Sequence, residues 1–212
     1  MSLSILSYLD IVPPILLLLV ELISPRVTFR SDYILLFVIT EALLNSSAML
    51  LYRLFRIPNL FIYNVNIIVS FLILSAFFWC ILHFSRKKLF FTVATVFFVI
   101  FIIFNSLKLE NFITDFNSNT YGLASFILVT YCFIYYLDKL KHPTKSITNS
   151  RDFWYVTGLL TYYASCFFIF ISYNSLTNSN NRHITSLWPI HNILFLIMCV
   201  YFYKGMLCNR TS

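Results

Sequence analysis

The chain has 212 residues, 59% of them apolar and 11% charged, with a formal charge of +7. Its mean hydropathy of +0.81 excludes an ordinary soluble domain and identifies a membrane protein. The basic excess calls for no nucleic-acid partner, because Lys and Arg flank the apolar runs, where they set orientation and face anionic headgroups.

About 20 apolar residues cross a hydrocarbon core about 30 Å thick, and runs of this length cross it as helices. Seven runs, at about 4–24, 33–52, 59–83, 89–107, 120–140, 153–173 and 187–208, predict an all-α bundle of seven helices in a single transmembrane domain covering residues 1–212. The connections are too short to fold into a catalytic or sensory domain, so any chemistry belongs to the bundle or its two faces.

The first run begins MSLSILSYLDIVPP and carries no Lys or Arg ahead of its apolar stretch, so it reads as a retained span rather than a cleaved signal. Pro13 and Pro14 follow Asp10 and should kink this span or fix its starting direction. Six spans is the alternative count.

The second run, ILLFVITEALLNSSAMLLY, holds Glu41 near mid-membrane. An ionisable group at that depth is costly, faces the bundle interior and is a functional candidate by default. Asn45, Ala48 and Tyr52 continue its stripe, which marks the inner face of the helix. The acid is expected to be protonated and to donate a hydrogen bond; the alternative role is interhelical glue. At 1.5 Å per residue Glu41 lies about 12 Å from the cytoplasmic end. The same depth count reaches Ser75, Cys132, Thr161 and Tyr201, making Thr161, Tyr162 and Tyr201 its candidate partners. No second carboxylate and no lysine is expected at that level, which argues against an ion pair or a paired-acid hydrolase.

Further along, Asn64 and Asn66 in the third run, Asn105 in the fourth, and His191 with Asn192 in the seventh fall in the outer third to half of their spans. Asn45 and Ser46 lie at the same level. Amides and an imidazole converging there suit a pocket for a small polar ligand, or they satisfy one another. No metal or cofactor is expected. His83 and His191 lie at opposite depths and cannot share a haem iron, no HxxxH supplies zinc ligands, and Lys204 is a snorkelling anchor rather than a mid-membrane Schiff base. The five cysteines show no CxxC pair and read as packing residues. With three glycines against 24 phenylalanines, close helix approaches of the small-xxx-small kind should be few.

With seven spans, Arg53, Arg56, Lys108 and Arg182 fall on one side of the membrane. The other eleven basic residues, from Arg26 and Arg30 through Arg86–Lys88 to Lys204 and Arg210, fall on the opposite side. The positive-inside rule then places the N-terminus outside and the C-terminus in the cytoplasm.

The last third contains Phe153-Trp154, Gly158, Tyr162-Tyr163, Phe167-Phe168, Asn174, Leu187-Trp188 and Ile190-His191-Asn192. In these features it resembles the closing two helices of small, generally uncharacterised bacterial multi-pass membrane proteins whose genes often lie beside two-component signalling genes. The resemblance implies a seven-helix sensor-like module of the bacterial cytoplasmic membrane working with a separate histidine kinase, and implies no catalytic residues. The expected function is therefore a sensory or accessory module that binds a small or membrane-dissolved ligand. The alternatives are a lipid-modifying enzyme or small-solute or proton carrier using Glu41, and a structural subunit.

Overall fold

The computed structural model describes residues 8–23, 32–82, 85–142, 147–178 and 184–208. Arg26, Arg30, Lys145, Arg182, Arg210, His83 and His183 lie outside the described residues, as does the start of the first expected span. Among the described residues there are helices and no strands: α1 (Val12–Ile23), α2 (Asp32–Leu50), α3 (Leu60–Ile81), α4 (Ser85–Lys108), α5 (Ser118–Lys141), α6 (Arg151–Asn178) and α7 (Ile184–Leu207). The last six contain stretches long and apolar enough to cross a membrane, which makes this a multi-pass membrane protein.

Helix α1 is the exception. Its 12 residues rise about 18 Å, well short of a hydrocarbon core. Pro13 and Pro14 occupy its first turn, where a missing N–H breaks no helical bond, so they start the helix rather than kink it. A turn over residues 8–11 precedes it, closed by the Val12 N–H donating to the Tyr8 carbonyl at 2.9 Å. Asp10 sits in this turn.

The inner stripe of α2 holds through Glu41, Asn45 and Ala48, all buried, but fails at Tyr52, which is exposed. The reason is a change of pitch: residues Leu51–Phe55 form a π-helical turn, ended by Arg56 in the left-handed region at φ 53°. A π turn holds more residues than an α turn, so side chains beyond it leave the α-helical stripe. Asn59 Nδ2 donates to the Ala48 carbonyl at 3.1 Å, giving this helix end a partner.

Six helices form a closed ring in which α1 packs on α2, α2 on α3, α3 on α5, α5 on α6, α6 on α7, and α7 back on α1. Helix α4 lies outside it, against α3 and α5. Its buried residues Phe91, Phe98 and Asn105 recur every seventh position, one narrow seam on an otherwise exposed apolar helix. Phe98 meets Phe71 at 3.9 Å between centroids and Phe91 meets Tyr131 at 4.4 Å.

Helices α6 and α7 approach closely at two of the three glycines. A Cβ on Gly205 would lie 2.6 Å from the Tyr155 ring, and one on Gly158 would lie 3.0 Å from the Tyr201 Cβ and 3.2 Å from the Met198 carbonyl oxygen. Elsewhere large side chains set the spacing. Cys132, Cys166 and Cys199 are buried packing residues, and all five cysteines are free thiols.

Candidate functional site

Glu41 lies inside the ring and accepts hydrogen bonds from three side chains. Ser70 Oγ donates to Oε1 at 2.8 Å, while Asn66 Nδ2 and Asn45 Nδ2 reach Oε2 at 2.8 and 3.1 Å. The spacing explains the cradle. Asn45 is one turn beyond Glu41 on α2, and Asn66 and Ser70 are one turn apart on α3, so two helix faces each present a polar pair to the other. Asn66 and Ser70 also bond each other, at 3.2 Å. Asn45 Nδ2 further donates to the Asp10 carbonyl at 3.2 Å, tying the turn before α1 to the Glu41 cluster.

The cluster borders a cavity of about 30 Å3, room for about two water molecules. Its wall draws on five helices of the ring and on the turn that leads into the sixth. Asp10 enters from the turn before α1, Glu41 and Asn45 from α2, and Tyr63 and Asn66 from α3. Across the space stand Tyr121 of α5, Tyr162 and Tyr163 of α6, and Trp188 and His191 of α7. Helix α4 contributes nothing. Tyr63, Tyr121 and Trp188 come from the first or second turn of α3, α5 and α7, while Asn66 and His191 lie about a turn deeper, so the cavity sits in the half of the bundle where those helices begin.

Asp10 is 7% exposed, and its Oδ1 has no hydrogen-bond partner among the described residues. Opposite, Tyr162 Oη lies 3.3 Å from His191 Nδ1 and Cys166 Sγ lies 3.7 Å from the same nitrogen. Hydroxyl and thiol can each donate to Nδ1 or accept from it, according to the tautomer of the ring. The His191 ring is also enclosed by Trp188 and Phe170, at 4.9 and 5.4 Å between centroids. Among the described residues no three His, Cys, Asp or Glu side chains converge as metal ligands would.

A second polar network closes the same end of the bundle. Asn64 Nδ2 donates to the Phe112 and Asp115 carbonyls at 2.9 and 2.8 Å, and its Oδ1 accepts the Asn117 N–H at 3.0 Å. It thus pins the α4–α5 connection across the top of α3. Within that connection Glu110 is buried and held by Asn105 Nδ2 at 2.8 Å, Asn174 Nδ2 at 2.7 Å and the Asn119 backbone N–H at 3.3 Å. The last contact places an acid at the start of α5, where helix geometry leaves N–H groups free. Phe116, from the same connection, lies 4.5 Å from Tyr121 and 5.9 Å from Trp188, an aromatic layer between loop and cavity.

The structure therefore brings Glu41, Asn45, Asn66, Tyr162 and His191 to one cavity. Asn64 and Asn105 serve the loop network instead, and Asn192 is buried on α7 without lining the cavity. Glu41 pairs with Asn45, Asn66 and Ser70, whereas equal depth singles out Thr161, Tyr162 and Tyr201. Equal depth says nothing about direction around a helix axis: Thr161 Oγ1 bonds its own helix, at the Thr157 carbonyl, and Tyr201 stacks with Trp154 at 6.1 Å. The second carboxylate that the depth count missed is Asp10. The count treated residues 4–24 as one continuous helix, but Asp10 belongs to a turn outside α1. Comparison with protein-family models, with curated proteins and with solved structures gives no match for this chain.

Proposed function

We propose that the protein is a membrane sensory or accessory module whose ring cavity takes up a small polar or membrane-dissolved ligand. The observation that carries this reading is the cavity itself: five ring helices and the turn that leads into the sixth meet at one small polar space, so a ligand there touches most elements of the ring at once. Occupancy changes the hydrogen bonding of Glu41 and Asn45 and thereby favours one packing of α1, α2 and α3 over another. The basic span ends support an orientation in which α2 begins and α7 ends on the cytoplasmic side of a bacterial cell. In that orientation the cavity lies toward the exterior, and the helix ends at the opposite face present the packing state to a separate partner such as a histidine kinase.

The test is to replace Glu41 by Gln and by Leu in the full chain. The expected outcome is retained membrane insertion with altered partner association and signalling output. Wild-type behaviour in both variants overturns the mechanism. Reporter fusions after Lys88 and Lys145 should be cytoplasmic and those after Asn117 and Asn180 external; the reverse pattern overturns the orientation.

One observation favours a second reading, a proton carrier or lipid-modifying enzyme using Glu41. Asp10 and Glu41 border the same space, and a pair of acids is what proton exchange requires. Proton flux into proteoliposomes that is lost in both Asp10→Asn and Glu41→Gln supports this reading over the sensory one.

A further inference from the structure

We infer that the ring cavity binds a small ammonium-type cation, ammonium itself or methylammonium, between Asp10 and Glu41. This deepens the ligand-sensing reading above and rests on it for its role in the cell, but the binding chemistry stands on the geometry alone.

Charge is the first argument. Two acidic residues border the space, and among the described residues no Lys or Arg lines it. Acids brought into a low-dielectric interior need an opposite charge or protons of their own. Glu41 already has three donors, but Asp10 Oδ1 is buried and has none among the described residues. The site therefore holds an acceptor waiting for a donor, and the wall offers no cation to supply it. Asn45 fixes the spacing, because its Nδ2 contacts the Asp10 carbonyl at 3.2 Å and Glu41 Oε2 at 3.1 Å. One side chain thus holds the two acidic residues on either side of a single amide.

The walls select among cations. Tyr63, Tyr121, Tyr162 and Trp188 give the cavity an aromatic lining, and aromatic rings attract ammonium groups once these have shed water. The cavity of about 30 Å3 has room for about two waters, which matches ammonium or its methyl derivative and rejects longer amines. An ammonium ion donates hydrogen bonds, which the Asp10 carboxylate can accept; sodium and potassium cannot donate. A divalent metal would want three or more anionic or imidazole ligands, and no such group exists among the described residues.

The experiment uses the full chain purified into lipid nanodiscs, with Trp fluorescence and thermal unfolding as readouts, since Trp188 lines the cavity. Ammonium chloride and methylammonium chloride are titrated against sodium and potassium chloride at constant ionic strength. The expected result is a saturable response to the two ammonium salts alone, with half-saturation raised by about tenfold or more in Asp10→Asn. A flat ammonium titration, an equal response to sodium or potassium, or wild-type binding by Asp10→Asn overturns the site. Should Glu41→Gln fail to fold, Asp10→Asn carries the test, because its Oδ1 has no partner to lose. The two proposals separate cleanly. An ammonium response with partner association indifferent to Glu41 keeps the cation site and overturns the sensory role. Partner association that depends on Glu41, without an ammonium response, does the opposite.

Discussion

Two buried glutamates, built from the same kinds of partner, do different jobs in this bundle. Glu110 is surrounded by donors from α4, the start of α5 and α6, in a loop that Asn64 also pins, and its network closes on itself. Glu110 also borders a cavity, of about 600 Å3, shared with Asp115, whose carboxylate accepts from the Asn111 N–H and the Thr114 hydroxyl. Glu41 is equally well held by Asn45, Asn66 and Ser70, but the second acid beside its cavity, Asp10, has an oxygen without a partner among the described residues. The first arrangement is a strut. The second is a strut with a vacancy in its hydrogen-bond count, and that difference marks a binding site more clearly than the presence of an acid in hydrocarbon does.

The contrast can be broken by experiment. Glu110→Leu strands the Asn119 N–H and takes one of two acceptors from each of the Asn105 and Asn174 amides, so it should cost the most stability, about 3 kcal/mol, measured as a lowered Tm in detergent with no change in the ammonium response. Asn64→Leu releases the loop from α3 and should cost about 2 kcal/mol, again with cavity binding intact; proteolysis of the loop at lower protease doses than wild type would report the release. Glu41→Gln keeps the shape of the cradle and should cost about 1 kcal/mol, while disturbing binding at the cavity. Asp10→Asn should change Tm least, by the equivalent of about 0.5 kcal/mol or less, and should weaken cation binding most. If the Tm of Asp10→Asn falls as far as that of Glu110→Leu, both acids are struts and the distinction between the two regions collapses.

The spans were legible in the sequence because about 20 apolar residues leave few other structures possible, and the observed helices start and stop within a few residues of the runs. The short first helix was not legible from hydropathy: residues 4–24 are apolar nearly throughout, and only the proline pair signals where the helix begins. Glu41 with Asn45 was readable from its four-residue spacing. The matching pair on α3, Asn66 and Ser70, carried the same signal, but Ser70 was missed because a serine in an apolar helix is ordinarily satisfied by its own backbone. Thr161 shows that ordinary behaviour. Glu110 lay beyond reach for another reason. Nothing in KLENFITDFNSN states that the segment folds back over the bundle, since that depends on Asn64, far away in the chain and facing it only once α3 and α5 are neighbours. Tyr52 shows the limit of periodicity, because a single widened turn rotates everything after it.

The cavity lies in the half of the bundle where α3, α5 and α7 begin. Peptide dipoles align along a helix, so each of these ends carries a fraction of a positive charge, felt most within the first turn. One of them, the start of α5, is in direct contact with Glu110 through the Asn119 N–H. Among the described residues the bundle thus supports its buried glutamates with side-chain amides and oriented backbone rather than with lysine or arginine. Backbone dipoles can stabilise negative charge without capping it, because they occupy no space in the cavity and form no ion pair that an arriving cation would have to displace.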